Sequence, residues 1–319
     1  MIQPMRRIIR STWLFAALAV LATPLVGAAP PAEAATRPFA ASSPFNVAIK
    51  ASPRIDPLSA AMVARLSRTG QAYANLYAYG IPVYTATATT PRYRVVCDQE
   101  GTWGACPLTQ QLMPIPTDAR PSTGTDGAMV VIDPASGTIG EYWRAQRVGG
   151  TWQAGWGAVN KLSGSGWGGA STGAGASRLG GVVRVDEIAA GVINHALVVQ
   201  TDNACAGRYR APALKTDGGS VRSDCIPEGA RIQLDPSVNL ASIPGLTPGE
   251  RAVARAMQVY GAYVIDVAGT SMSVSFERAK DATSTSPGAT YTRAGLSWDY
   301  YGMPRVPWHR MRVLTTWQG

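Results

Sequence analysis

Three residues whose types could do chemistry lie in the most apolar stretches of this 319-residue chain: Glu141, Glu187 and His195. A carboxyl group among apolar neighbours keeps its proton to higher pH. Glycoside hydrolysis uses two carboxyls facing one cleft, one to protonate the leaving oxygen and one as base or nucleophile. Glu141 and Glu187 are the expected catalytic pair, because each falls inside an extended run rather than a turn. His195 is expected to orient or tune Glu187. In a lyase, His195 or a nearby Tyr would instead be the base, and Arg184 would neutralise a uronate carboxylate. Trp143 and Trp156 offer aromatic faces for stacking on sugar rings, with Asp126 beside them.

Two hairpins must position these groups. In the first, 127–133 and 138–145 flank Pro134-Ala135-Ser136-Gly137. That loop pairs Asp133 with Thr138, so Asp126, Ala128, Val130, Ile132, Ile139, Glu141 and Trp143 share a face. In the second, 181–188 and 192–199 flank Ala189-Ala190-Gly191, which puts Glu187 diagonal to His195 on an apolar face. Arg184 and Asn194 then point the other way. The segment 163–181 holds eight glycines and no Gly-Lys-Ser/Thr, so it reads as a long mobile connection or a flap beside a groove rather than a phosphate loop. Helices are expected over 56–68, where Asp56 caps, and over 248–260, where Thr247-Pro248-Gly249-Glu250 has a capping-box pattern. Short strands elsewhere make the chain all-β: a jelly-roll-like sandwich with one or two peripheral helices.

Composition bounds the rest. Arg6, Arg7 and Arg10 precede an apolar run and small residues at Ala32-Glu33-Ala34, so residues 1–34 read as a secretory signal peptide. Residues 35–42 follow as a flexible leader, and 43–319 as one sandwich domain. Net charge is +9; the signal carries three Arg and one Glu, which leaves +7 after its removal. Only four Lys occur, and no basic run or helix is present, so nucleic acid is not an expected partner. After signal cleavage no segment is long and apolar enough to span a membrane. Cys97, Cys106, Cys205 and Cys225 are an even set suited to an exported chain. Three pairings are possible, the simplest joining sequence neighbours. No dinucleotide fingerprint, serine-nucleophile elbow or metal-ligand spacing appears, and no cofactor or metal is expected.

The string Arg184-Val-Asp-Glu-Ile-Ala-Ala-Gly-Val-Ile-Asn-His195-Ala-Leu resembles a signature of secreted bacterial proteins, many of them actinobacterial. Ser43-Pro-Phe-Asn46, Glu141-Tyr-Trp143, Thr216-Asp-Gly218, Ile226-Pro-Glu-Gly-Ala-Arg231 and Tyr260-Gly-Ala-Tyr-Val-Ile-Asp266 belong to the same likeness, which spans about residues 43–317. It implies export and one long domain, and carries no catalytic residue across. The jelly-roll expectation also resembles the architecture of lectins, glucanases and some lyases. The combined expectation is a secreted, monomeric polysaccharide-active enzyme, a glycoside hydrolase before a lyase, acting on a polysaccharide or cell-wall glycan. The competing class is a carbohydrate-binding or cell-wall protein without catalysis.

Overall fold

Alternating apolar residues build two principal sheets, whose facing sides bury one shared core. The structure, a computed structural model, describes residues 37–169 and 171–318 together with residue 1. The expected signal peptide, 1–34, otherwise lies outside the described residues. The larger sheet has six strands in the order Tyr73–Asn75, Ser273–Ser275, Leu197–Thr201, Ala262–Val267, Arg231–Leu234 and Met311–Val313. The second has four, in the order Trp156–Lys161, Thr138–Trp143, Met129–Asp133 and Val83–Thr85.

Val198, Tyr263 and Ile265 from the larger sheet and Ala128, Val130 and Ile139 from the smaller meet in the core between them. Each sheet is also covered on its outer face. Leu197, Val199, Ile232 and Val264 pack under the helix Pro248–Val259 through Val253 and Met257. Met129, Val131 and Tyr142 pack against Val95, Trp152 and Leu108 of a small side layer. The result is a β-sandwich with a few helices, as the alternation implies.

Local rules hold where sequence and packing agree. Asp133 pairs with Thr138, and Val130 with Glu141, in the register expected of the 134–137 turn. Thr247 Oγ1 accepts from Glu250 N–H at 3.2 Å and Glu250 Oε2 accepts from Thr247 N–H at 3.0 Å, closing the capping box. The disulfides are Cys97–Cys106 and Cys205–Cys225. No helix among the described residues is long and apolar enough to cross a membrane.

Three expectations are corrected. The second hairpin is absent: Val185–Ala190 is a helix, and only Leu197–Thr201 is a strand. Glu187 accepts from Arg184 N–H at 3.0 Å, one half of a capping box, and Gly191 ends the helix in the left-handed region at φ 70°. Residues 37–42 are not a loose leader. Phe39 is buried, Ala40 N–H donates to Gly164 O at 2.9 Å, and Asn46 Nδ2 donates to the carbonyls of Pro38 and Ala40, both at 3.0 Å. The second half of the glycine-rich segment is not a mobile flap either, because residues 171–183 are buried throughout, while exposed positions are confined to 163–169.

Candidate functional site

Glu141 explains why that segment is fixed. It projects from the strand Thr138–Trp143 with no solvent exposure, and it accepts from the hydroxyls of Ser171 and Ser177 and from Arg178 N–H at 2.9 Å. Burial raises its pKa, and the Ser171, Ser177 and Arg178 donors oppose the shift. With its acceptor sites engaged inside the protein, Glu141 anchors the glycine-rich segment and offers nothing to a substrate.

Glu187 and His195 do meet, by a different route from the expected pairing. His195 Nε2 lies 3.1 Å from Glu187 Oε2, and Nδ1 lies 2.9 Å from Ala196 O. A carbonyl only accepts, so Nδ1 donates to Ala196 O, while Nε2 faces the Glu187 carboxyl. Both ring nitrogens are therefore engaged by neighbouring protein groups. Arg184 binds Glu277 Oε2 through Nε at 2.8 Å. Arg184, Glu187 and His195 line a hollow of about 420 Å³, closed partly by Arg37 and Phe39, to which Glu141 does not contribute.

Trp143 and Trp156 are brought together, facing one another across adjacent strands. Trp103, from the segment closed by Cys97–Cys106, stacks on Trp143 at 5.8 Å and meets Trp156 edge-on at 5.7 Å. Trp143 Nε1 donates to Asp126 Oδ1 at 3.4 Å.

Three carboxyl groups that sequence reasoning missed lie close together elsewhere. Asp266 lies near the end of Ala262–Val267 and Glu228 ends Ile226–Glu228. Asp217 stands in the loop between Ala204–Tyr209 and that strand. One carboxyl oxygen from each lies within 4.8 Å of the others, with Asp217 exposed, Asp266 half-buried and Glu228 fully buried. The Cys205–Cys225 bridge ties the two strands together just before Glu228. Gly173 brings the anchored segment against Asp217, where an added Cβ would sit 2.3 Å from Oδ1.

Among the described residues, neither oxygen of Glu228 has a hydrogen-bond partner within 3.5 Å. Burial, then the neighbouring Asp217 and Asp266, push its pKa up to about 9, with the nearby Thr216 hydroxyl opposing the rise. Burial and then the Asp217 charge push Asp266 up to about 8, with Arg178 opposing and Asp126 adding to the rise. The set therefore holds two groups that keep their protons above the usual carboxyl range, beside the exposed Asp217. The same oxygens could also hold a hard divalent cation, whose ligands lie at roughly 2.3–2.6 Å. Each of the three residues falls within one of the quoted signature strings, which was the signal available in the sequence. No protein-family model, curated protein or solved structure matches the chain.

Proposed function

We propose that this protein is an exported glycoside hydrolase acting on a polysaccharide, with its chemistry at Asp217, Asp266 and Glu228. The observation that carries this reading is the short mutual separation of three carboxyls graded from exposed to buried. Asp266, still protonated near neutrality, donates to the glycosidic oxygen, while exposed Asp217 attacks the anomeric carbon. Water, deprotonated by Asp266, then releases the sugar from Asp217. Glu228, out of reach of substrate, is a positioning residue beneath the pair. Their oxygens lie within 4.8 Å of one another, too close for the water that an inverting pair admits between its carboxyls at about 6.5–9.5 Å, so a retaining double displacement is the outcome that fits. Trp103, Trp143 and Trp156 supply a stacking surface connected to this centre through Asp126, whose charge reaches Asp266. The two disulfides support export to an oxidising compartment.

The test is release of reducing ends from neutral and acidic polysaccharides by wild type, Asp217→Asn and Asp266→Asn. Both variants should lose at least about 10³-fold in rate while remaining folded, a difference of about 4 kcal/mol in barrier. First-formed products should keep the anomeric configuration of the substrate. A folded wild type silent on every polysaccharide would remove the hydrolase reading.

A second reading rests on the unpartnered oxygens of Glu228: the three carboxylates hold a cation in a carbohydrate-binding protein without turnover. Glycan binding lost on chelation and restored by calcium, with no new reducing ends, would establish it in place of the first.

A further inference from the structure

A second aromatic patch lies beyond the tryptophan cluster. An open hollow of about 530 Å³ is lined by Gln71, Thr247, Ser297, Trp298, Tyr301 and Arg305. Trp298 is 56 % exposed, and its ring stands at 66° to Tyr301 with centroids 4.8 Å apart. Tyr300 is 40 % exposed and packs on Tyr79 at 6.3 Å. Exposed rings gathered in one place, unlike single ones, mark a candidate binding surface, and here polar groups suited to sugar hydroxyls surround them.

The patch is held rigid at a cost. Tyr300 and Met303 occupy the left-handed region at φ 61° and 44°, where a side chain is strained. Asp299 enforces this conformation. Its Oδ1 accepts from the N–H groups of Leu76, Tyr77 and Tyr300, each at 3.0 Å, and its Oδ2 from Ala78 N–H at 2.9 Å. One carboxylate thereby fixes the 76–78 turn, which carries Tyr79, to the 298–301 turn.

Contacts connect this patch to the proposed centre. Tyr79 Oη lies 3.0 Å from Thr125 Oγ1, and the next residue, Asp126, accepts from Trp143. Trp103, Trp143, Tyr79, Tyr300 and Trp298 thus succeed one another along connected surface segments, with Asp126 in the middle.

We infer that these rings form an extended track that binds a polysaccharide strand well beyond the bond being cleaved, so that the natural ligand is a polymer and not a short oligosaccharide. This rests on the carbohydrate reading of the site but not on turnover. Each ring stacks on one sugar, and a strand engaging both ends of the track gains affinity from linked contacts.

The experiment measures binding in the Asp217→Asn background, so that ligand is not consumed. Xylan, β-1,3-glucan and polygalacturonate are each compared with their own tetrasaccharide. At least one polymer should bind about tenfold or more tightly than its tetrasaccharide, about 1.4 kcal/mol. That gap should close in Trp298→Ala. Tyr300→Gly removes a ring while relieving the strained backbone, so it should fold at least as well and still narrow the gap. A gap absent for all three polymers, or unchanged in both variants, would overturn the track. A gap without hydrolysis by the wild type would remove the hydrolase and leave the track. Hydrolysis without a gap would do the reverse.

Discussion

Glu141 and Glu228 are both glutamates with no solvent exposure, and their surroundings are opposite. Glu141 sits under three donors from one segment, so its burial is compensated and its work is structural. Glu228 has no close hydrogen-bond partner among the described residues, only the weaker influence of the Thr216 hydroxyl, and looks across at two more carboxyls. A fold gains nothing from leaving a buried carboxyl without a partner beside like groups, since desolvation and mutual repulsion both disfavour it. Such an arrangement persists where a proton or a ligand is to be handled there. Burial alone thus says little about a glutamate's role; the donor inventory around it decides.

The largest expected effect tests the structural half of this comparison. Glu141→Ala leaves two hydroxyls and one backbone N–H buried without an acceptor and opens a void beneath the glycine-rich segment. It should cost about 3–5 kcal/mol of stability, read from denaturant midpoints at constant slope. A loss below about 1 kcal/mol would mean that the segment is held by its other contacts, such as Ala174 N–H to Ile265 O at 2.8 Å.

Glu228→Gln should act with the opposite sign at high pH. The folded protein keeps protons on Glu228 to about 9 and on Asp266 to about 8, against ordinary values of 4.5 and 3.8. Between these limits the folded state binds more protons than the unfolded chain. Stability is therefore full below about pH 4 and falls as pH rises toward 9. Glutamine cannot ionise, so the variant should match the wild type near pH 4 and melt several degrees higher near pH 9. A constant offset between the two melting profiles across this range would show that Glu228 does not hold its proton as described, and the contrast with Glu141 would fail.

Legibility followed the same division between local and assembled features. The 129–143 hairpin was readable because period-two alternation and a Pro-Ala-Ser-Gly turn each fix the register. The helix Pro248–Val259 was readable because its cap, Thr247 with Glu250, is written in neighbouring residues. Val185–Ala190 was misread for a local reason. Its β-branched flanks and its glycine suit a hairpin, and its N-cap is Arg184, which lacks the short oxygen-bearing side chain that usually marks a helix start. The contact between Glu187 and His195 survived that error, since both sit at the junction of helix and strand. The carboxylate trio had no spacing to read: Asp217, Glu228 and Asp266 come from three segments that only the sheet brings together.

The smallest expected effect sharpens the comparison from a third glutamate. Glu187 is nearly as buried as Glu228, yet one oxygen, Oε2, serves both Arg184 N–H and His195 Nε2. Glutamine can place either its oxygen there, for Arg184, or its amide nitrogen, for an imidazole whose Nδ1 hydrogen stays on Ala196 O. It cannot do both. Glu187→Gln should therefore lose one of two hydrogen bonds, about 1 kcal/mol of stability. Polysaccharide turnover should stay close to wild type, because no step proposed at Asp217 and Asp266 passes through this pair. Thermal melting and reducing-end release on the same preparation decide the matter. If Glu187→Gln were instead as inactive as Asp217→Asn while still folded, the reacting groups would lie in the hollow lined by Arg184 and His195. The orphaned carboxyl of Glu228 would then have to be explained by a bound cation.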